Sequence, residues 1–212
     1  VLPVPLVLRA ANWYLSGEDV YAYDFSALTA PGTYAVRIAG IGTSDAFVIH
    51  DNVYNDLAKI VARGLYHQRC GMDITSTTHP RTACHTAPAE YHSSITNTAL
   101  HNGEVVGSTK DVSGGWHDAG DFSKYMPTAA SALWYLLTGY DLNRTLAGET
   151  PNLGSSDSWD IPESGNGIPD VLDEARYELD WMVRVQETDG AFPHKVSTLA
   201  WYNGMPETST EI

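Results

Sequence analysis

Asp118 and Asp121 stand three residues apart in the run Gly114-Gly115-Trp116-His117-Asp118-Ala119-Gly120-Asp121-Phe122-Ser123-Lys124-Tyr125, framed by aromatic and small residues. Two carboxylates that close on one turn suit the activation of a water molecule, one as general base and the other as its helper. Trp116 and Tyr125 flank the pair, either to stack on a ligand or to fix the aspartates. The bland alternative is a solvated Asp-x-x-Asp turn, and the surrounding dozen residues weigh against it.

A second constellation joins Cys70 and Cys84, the two cysteines of the chain, with His85 next to the second and His117 directly before the aspartate pair. Cys2His2 is a closed structural zinc set, leaving no open position for water. On spacing alone, a disulfide between Cys70 and Cys84 is the stronger reading for a secreted protein. His92 and His101 in the intervening stretch are lesser candidates for the fourth ligand. A third group, Glu163, Asn166, Asp170 and Asp173, gathers hard oxygens at a glycine-rich turn, as calcium prefers, with the Ile168 carbonyl completing the shell. Its rival is plain helix chemistry, since Asp170, Asp173 and Glu174 in a first turn complement the helix dipole without any ion.

The elements that must carry these groups change character along the chain. Residues 1–50 read as β structure: an opening strand over 1–8, then strands at 20–25, 32–38 and 46–49, punctuated by Pro31-Gly32 and Gly40-Ile41-Gly42. From Asp51-Asn52, read as the N-cap pair, Val53, Leu57, Ile60, Val61, Gly64 and Leu65 keep helical spacing towards Gly71. A second helix over Ala129–Leu137 has little polar face, predicting burial, and ends at Gly139. A third opens with Pro169 in its first turn and carries Val171, Leu172, Ala175, Leu179, Met182 and Val183 up to Asp189-Gly190. Residues 142–168 read as one long loop rich in Gly, Ser, Pro and Asp. Strands first and helices afterwards predict two domains, over 1–50 and 51–212.

Composition narrows the partners. A net charge of -14 at pH 7 excludes the basic surface that nucleic acid requires. No run of about 20 apolar residues is present to span a membrane, and residues 1–8 lack the basic start and cleavage site of a signal peptide. Low charged content with 6 Trp and 12 Tyr suits a neutral polymer whose sugar rings stack on aromatics.

The motifs resemble those of glycoside hydrolase family 9, the inverting cellulases and related β-glucanases. They are Tyr66-His67-Gln68-Arg69-Cys70-Gly71, His79-Pro80 with Ala83-Cys84-His85, Asp111-Val112-Ser113 leading into the aspartate pair, Ile161–Glu174, and Gly190–Val196. The resemblance covers roughly residues 50–200 and implies a mainly α fold: the N-terminal part of an (α/α)6 barrel preceded by a partial immunoglobulin-like β-sandwich. It implies hydrolysis of internal β-1,4-glucosidic bonds in cellulose or a related glucan, with Asp121 as the base, Asp118 holding the water, and Trp116, Tyr125 and His194 at the substrate cleft. It also implies structural zinc on Cys70, Cys84, His85 and His117 in place of the disulfide, calcium near Glu163, Asn166, Asp170 and Asp173, and secretion. The family's general acid, a glutamate near the far C-terminus of the catalytic domain, has no counterpart motif here. The chain therefore reads as a piece truncated at both ends, nearly inert alone, its uncovered helix faces inviting the remainder of the barrel or self-association. The alternative reading is a non-catalytic glucan-binding or structural piece.

Overall fold

Short antiparallel ladders fill the first of two units in this computed structural model, which describes residues 3–92, 107–147 and 156–198. The units are Val1–Val53 and Tyr54–Ile212. In the first, β1 (Val7–Ala10) pairs with β2 (Val20–Ala22), β3 (Gly32–Tyr34) with β6 (Phe47–Ile49), and β4 (Arg37–Ile38) with β5 (Gly42–Thr43). The opening strand begins later than the expected 1–8, because Pro3 and Pro5 have no N–H to give a ladder. The expected strand over 20–25 stops at Ala22, and Asp24 then turns the chain by accepting from the Ser26 backbone N–H and hydroxyl. The expected strand over 32–38 is split: Val36 leaves the β3–β6 ladder to exchange hydrogen bonds with the Ser44 hydroxyl and N–H. Phe47 anchors the small core of this unit, 5.4 Å from the Phe25 ring and 6.4 Å from that of Tyr34.

The second unit is built on three helices, α1 (Asn55–Gln68), α2 (Met126–Ala147) and α3 (Asp170–Val185), with two two-residue ladders among the described residues. Strands β7 (Ala89–Glu90) and β8 (Thr109–Lys110) pair, as do β9 (Lys124–Tyr125) and β10 (Lys195–Val196). The helix α1 starts at Asn55 behind Tyr54, with no side-chain cap, so Asp51-Asn52 do not cap it. Its stripe of Leu57, Ile60 and Val61 is exposed, and Tyr66 and Arg69 at its end are buried.

Against expectation, α2 runs through Gly139, whose cost of about 1 kcal/mol is outweighed by the good helix formers around it. The loop expected from 142 therefore begins at least one and a half turns later. Nor is α2 buried all round: Ala129 and Leu133 enter the core, whereas Trp134 and Tyr135 are 70% and 75% exposed. The core joins Val112, Trp116, Ala129 and Leu133 to Ala175, Trp181, Met182 and Val185 of α3. A second cluster unites Tyr66, Ile74, Trp159, Ile161 and Val171. Burying each such aliphatic side chain contributes roughly 1.5–3 kcal/mol. Among the described residues no helix is long and apolar enough to cross a membrane.

Candidate active site and metal centre

The end of α1 is tied to the segment that carries the aspartates. Cys70 N–H donates to Gly115 O at 2.7 Å and His117 N–H to Gln68 O at 2.8 Å, on either side of an Arg69–Trp116 bridge. Gly115 makes this approach possible: its φ of 73° is in the left-handed region, and its bare Cα faces the Trp181 ring. Gly71 N–H in turn donates to Cys84 O at 3.1 Å, bringing in the third strand of chain.

These tethers converge on Cys70, Cys84, His85 and His117, whose ligand atoms all lie within 4.8 Å of one another. Both cysteines are buried and free, so the disulfide expected from spacing alone is not formed. Cys70 Sγ lies 3.2 Å from His85 Nδ1, and Cys84 Sγ lies 3.3 Å from His117 Nε2. Tetrahedral zinc with its usual bond lengths sets sulfur and nitrogen about 3.6 Å apart, so the set fits that ion. A hydrogen bond between the two sulfurs pushes the Cys70 thiol up and holds Cys84 down, towards thiolate. Burial lowers His117, favouring the neutral imidazole a metal needs. His92 is exposed and apart from this group, and His101 lies outside the described residues.

The aspartate turn begins at the next residue. Asp118 N–H donates to Ser123 O at 2.8 Å and Phe122 N–H to Ala119 O at 3.1 Å, closing a loop in which Phe122 takes a φ of 58°. That conformation lays the Phe122 ring 4.5 Å from the His117 imidazole, so the turn rests directly on the face of one member of the Cys2His2 cluster. The exposed Asp118 accepts from the Thr128 hydroxyl through Oδ1 at 2.5 Å, and its Oδ2 has no hydrogen bond among the described residues. Half-buried Asp121 accepts from Ser123 N–H at 3.3 Å and lies 3.5 Å from the Tyr125 hydroxyl. Pairing of β9 with β10 sets exposed His194 beside the turn, its carbonyl accepting from Met126 N–H at 3.0 Å.

Trp116 departs from the expectation of a sugar-stacking face. It is buried, its indole N–H donating to Glu174 at 2.8 Å and its backbone N–H to Glu178 at 2.6 Å, so it buttresses the turn from beneath. Beneath it lies a polar core that the sequence reading missed. Arg69 is fully buried, donating from Nε to Glu174 at 3.0 Å and from Nη1 to Glu163 at 3.0 Å, with its guanidinium 4.3 Å from the Tyr177 ring centre. Burial pushes Glu174 up against the pull of Arg69, and pushes Glu178 up to about 8 against the Trp116 N–H and Lys124. The signal was present as Glu174 and Glu178 one turn apart on the face of α3 that also carries Val171 and Ala175.

The oxygens expected to hold calcium are taken by the protein. Glu163 uses both oxygens on Arg69, and Asp170 accepts from Trp159 N–H and the Ser164 hydroxyl. Asn166 accepts from Ile168 N–H and donates to Asp173, leaving Asp173 Oδ1 as the side-chain oxygen without a hydrogen bond. Calcium takes about six to eight oxygen ligands, and this arrangement does not fit it. These residues instead anchor the start of α3 and the Arg69 network.

The helical unit thus sets paired carboxylates on a turn braced by a Cys2His2 cluster, and its family follows from its likeness to known proteins. The chain belongs to glycosyl hydrolase family 9, whose family model matches residues 54–210, and residues 7–43 match the cellulase N-terminal ig-like domain. It is thus the N-terminal part of an (α/α)6 barrel preceded by part of an immunoglobulin-like module. It is 34% identical over 183 residues to Endoglucanase D of Acetivibrio thermocellus, covering 85% of this chain and 27% of that protein. A metagenome-derived family 9 endoglucanase superposes with a TM-score of 0.76 at 33% identity, over 97% of this chain and 36% of its own. A Zn-binding triple mutant of the family 9 endoglucanase J30 gives 0.70 at 34% identity, over 92% of this chain and 36% of its own. The chain therefore spans about a quarter to a third of the length of these relatives.

Proposed function

We propose that this chain supplies the general-base side of an inverting hydrolase acting on internal β-1,4 bonds of cellulose or a related β-glucan. The observation that carries the reading is the Asp118–Asp121 turn, with two carboxylates presented to solvent and each held by a neighbour: Thr128 on Asp118, Ser123 and Tyr125 on Asp121. Asp121 takes a proton from water while Asp118 Oδ2 orients it. The water oxygen then attacks the anomeric carbon from the face opposite the departing oxygen, which inverts its configuration. The leaving oxygen must receive a proton from a carboxylic acid about 6.5–9.5 Å from the base, and Asp118 shares one turn with Asp121, so the acid is a carboxyl elsewhere. Tyr125 and His194 line the same edge and are the groups placed to meet the sugar. A neutral glucan as substrate accords with the net charge of -14, which does not favour an anionic polymer.

Zinc on Cys70, Cys84, His85 and His117 belongs to this reading as a structural ion. Bound there, it would supply rigidity to the join between α1 and the aspartate turn and no catalytic water, since all four positions are protein. The residues themselves do the positioning: His117 precedes Asp118 directly, and Phe122 packs on its ring. The test is Asp121→Asn in the protein at its natural length, assayed by reducing-sugar release from carboxymethylcellulose. Loss of about 10²–10⁴-fold in kcat is expected for a general base. Retained activity would remove Asp121 from that role.

A further inference from the structure

Lys124 is 1% exposed, and among the described residues its ammonium forms no ion pair with a carboxylate. Its acceptors are Val112 O, Gly114 O at 3.0 Å and Cys70 Sγ at 3.4 Å, with the Trp181 ring 5.3 Å away. The three N–H groups of an ammonium are thus matched by three acceptors, of which the sulfur is the one able to carry negative charge. Glu178 is the carboxylate whose charge reaches Lys124, and a Cys70 sulfur held as thiolate by a bound metal would set a second negative charge in direct contact with the ammonium. Cys84 has its own cation: Arg81 Nη1 lies 2.9 Å from its sulfur, while Nη2 donates to Arg69 O at 2.6 Å.

We propose that Lys124 is a positioning residue that couples occupancy of the Cys2His2 centre to the shape of the aspartate turn, by bridging Cys70 Sγ to the backbone on which that turn is built. The inference rests on the metal reading above. Lys124 follows Ser123, whose N–H donates to Asp121 and whose carbonyl accepts from Asp118 N–H. Successive residues of a strand point to opposite faces, so Lys124 reaches the sulfur while Tyr125 reaches Asp121. Coordination of an ion makes Cys70 a permanent thiolate, which gives Lys124 a fixed anionic partner. The 123–125 segment and the carbonyls at 112 and 114 are then held in one place.

The experiment uses the whole chain, stripped with a chelator and titrated with Co(II), followed by competition with Zn(II). The wild type is expected to take up one cobalt and to show intense sulfur-to-cobalt charge-transfer bands. Loss of the N–H donor in Lys124→Met raises the energy of the sulfur lone pairs, moving those bands to longer wavelength, and weakens zinc about 10–100-fold. Lys124→Arg, which keeps the charge, is expected to restore the band and most of the affinity. Hydrogen exchange supplies the coupling: zinc is expected to slow exchange across 116–125 in the wild type and much less in Lys124→Met. If Lys124→Met does not fold, as read by circular dichroism, Lys124→Gln keeps donors for the carbonyls, lacks the charge and carries the same expectations. A wild-type charge-transfer band and zinc-dependent protection in the folded variant would overturn the role of Lys124. A wild type without any thiolate–cobalt band would instead overturn the metal reading, which is a distinguishable failure.

Discussion

Gly115→Ala places one methyl group where the structure has no room. Built on the existing backbone, the new Cβ would lie 2.6 Å from Trp181 Cγ and 2.7 Å from its Cδ2, in a ring that is itself buried and packed into the core. The φ of 73° adds a conformational penalty of about 1–2 kcal/mol for a residue with a Cβ. Overpacking of this kind costs typically about 1–3 kcal/mol more, which together gives about 2–5 kcal/mol. Relief can come only by moving the backbone, and Gly115 O is the acceptor for Cys70 N–H. The damage should therefore extend to the metal cluster. Urea denaturation of wild type and variant, with and without zinc, measures both effects: a lowered midpoint and a smaller stabilisation by zinc. A variant within 1 kcal/mol of wild type, or one with undiminished zinc stabilisation, would refute the reasoning that Gly115 is the fixed joint between core and site.

Glu178→Gln addresses the buried carboxyl whose pKa is raised to about 8. Because the folded state holds this proton and the unfolded state releases it at an ordinary carboxylate pH, the contribution is fully present at acid pH. It is lost as pH rises towards 8, by about 1.4 kcal/mol for each pH unit in that window. The variant should lack this slope in thermal melts between pH 5 and 8, and an unchanged slope would count against it. Arg69→Met strands Glu174 in the core, and a loss of about 3–5 kcal/mol in denaturant unfolding is expected, whereas a loss below 1 kcal/mol would mean the pair is dispensable. Thr128→Val removes the donor on Asp118 Oδ1, for which a fall of about ten- to hundredfold in kcat with little change in KM is expected in the protein at its natural length. A change in KM alone would assign Thr128 to binding.

Groups that lie close along the chain were the legible ones. Asp118 and Asp121 sit on one turn, and Cys84 and His85 are neighbours, so residue type and spacing drew attention to them before any fold was known. What escaped was joined over long separations. Arg69 and Glu174 are 105 residues apart, and the bond from Lys124 to Cys70 spans 54. A charged residue in a polar-looking segment gives no hint of burial until its partner is placed beside it. The two roles open to Trp116, stacking on a ligand or fixing the aspartates, were not separable for the same reason, since its two acceptors lie on α3. The helical periods were legible over α1 and α3, but their ends were set by other forces: α1 begins without a side-chain cap, and α2 passes through Gly139 because a single glycine costs less than the turn around it gains. For the two cysteines, spacing favoured a disulfide and the family resemblance a zinc set, and the geometry leaves both sulfurs free and faces each with an imidazole nitrogen.

The most direct test of the account is the anomeric form of the first product. Cellohexaose is mixed with the protein at its natural length and followed by proton NMR before mutarotation equilibrates the ends. A water activated by Asp121 and held by Asp118 attacks from the face opposite the leaving oxygen, so the account predicts that the α-anomer appears first. The β-anomer appearing first would mean that a carboxylate attacks the sugar directly, and would contradict the role given to the Asp118–Asp121 turn.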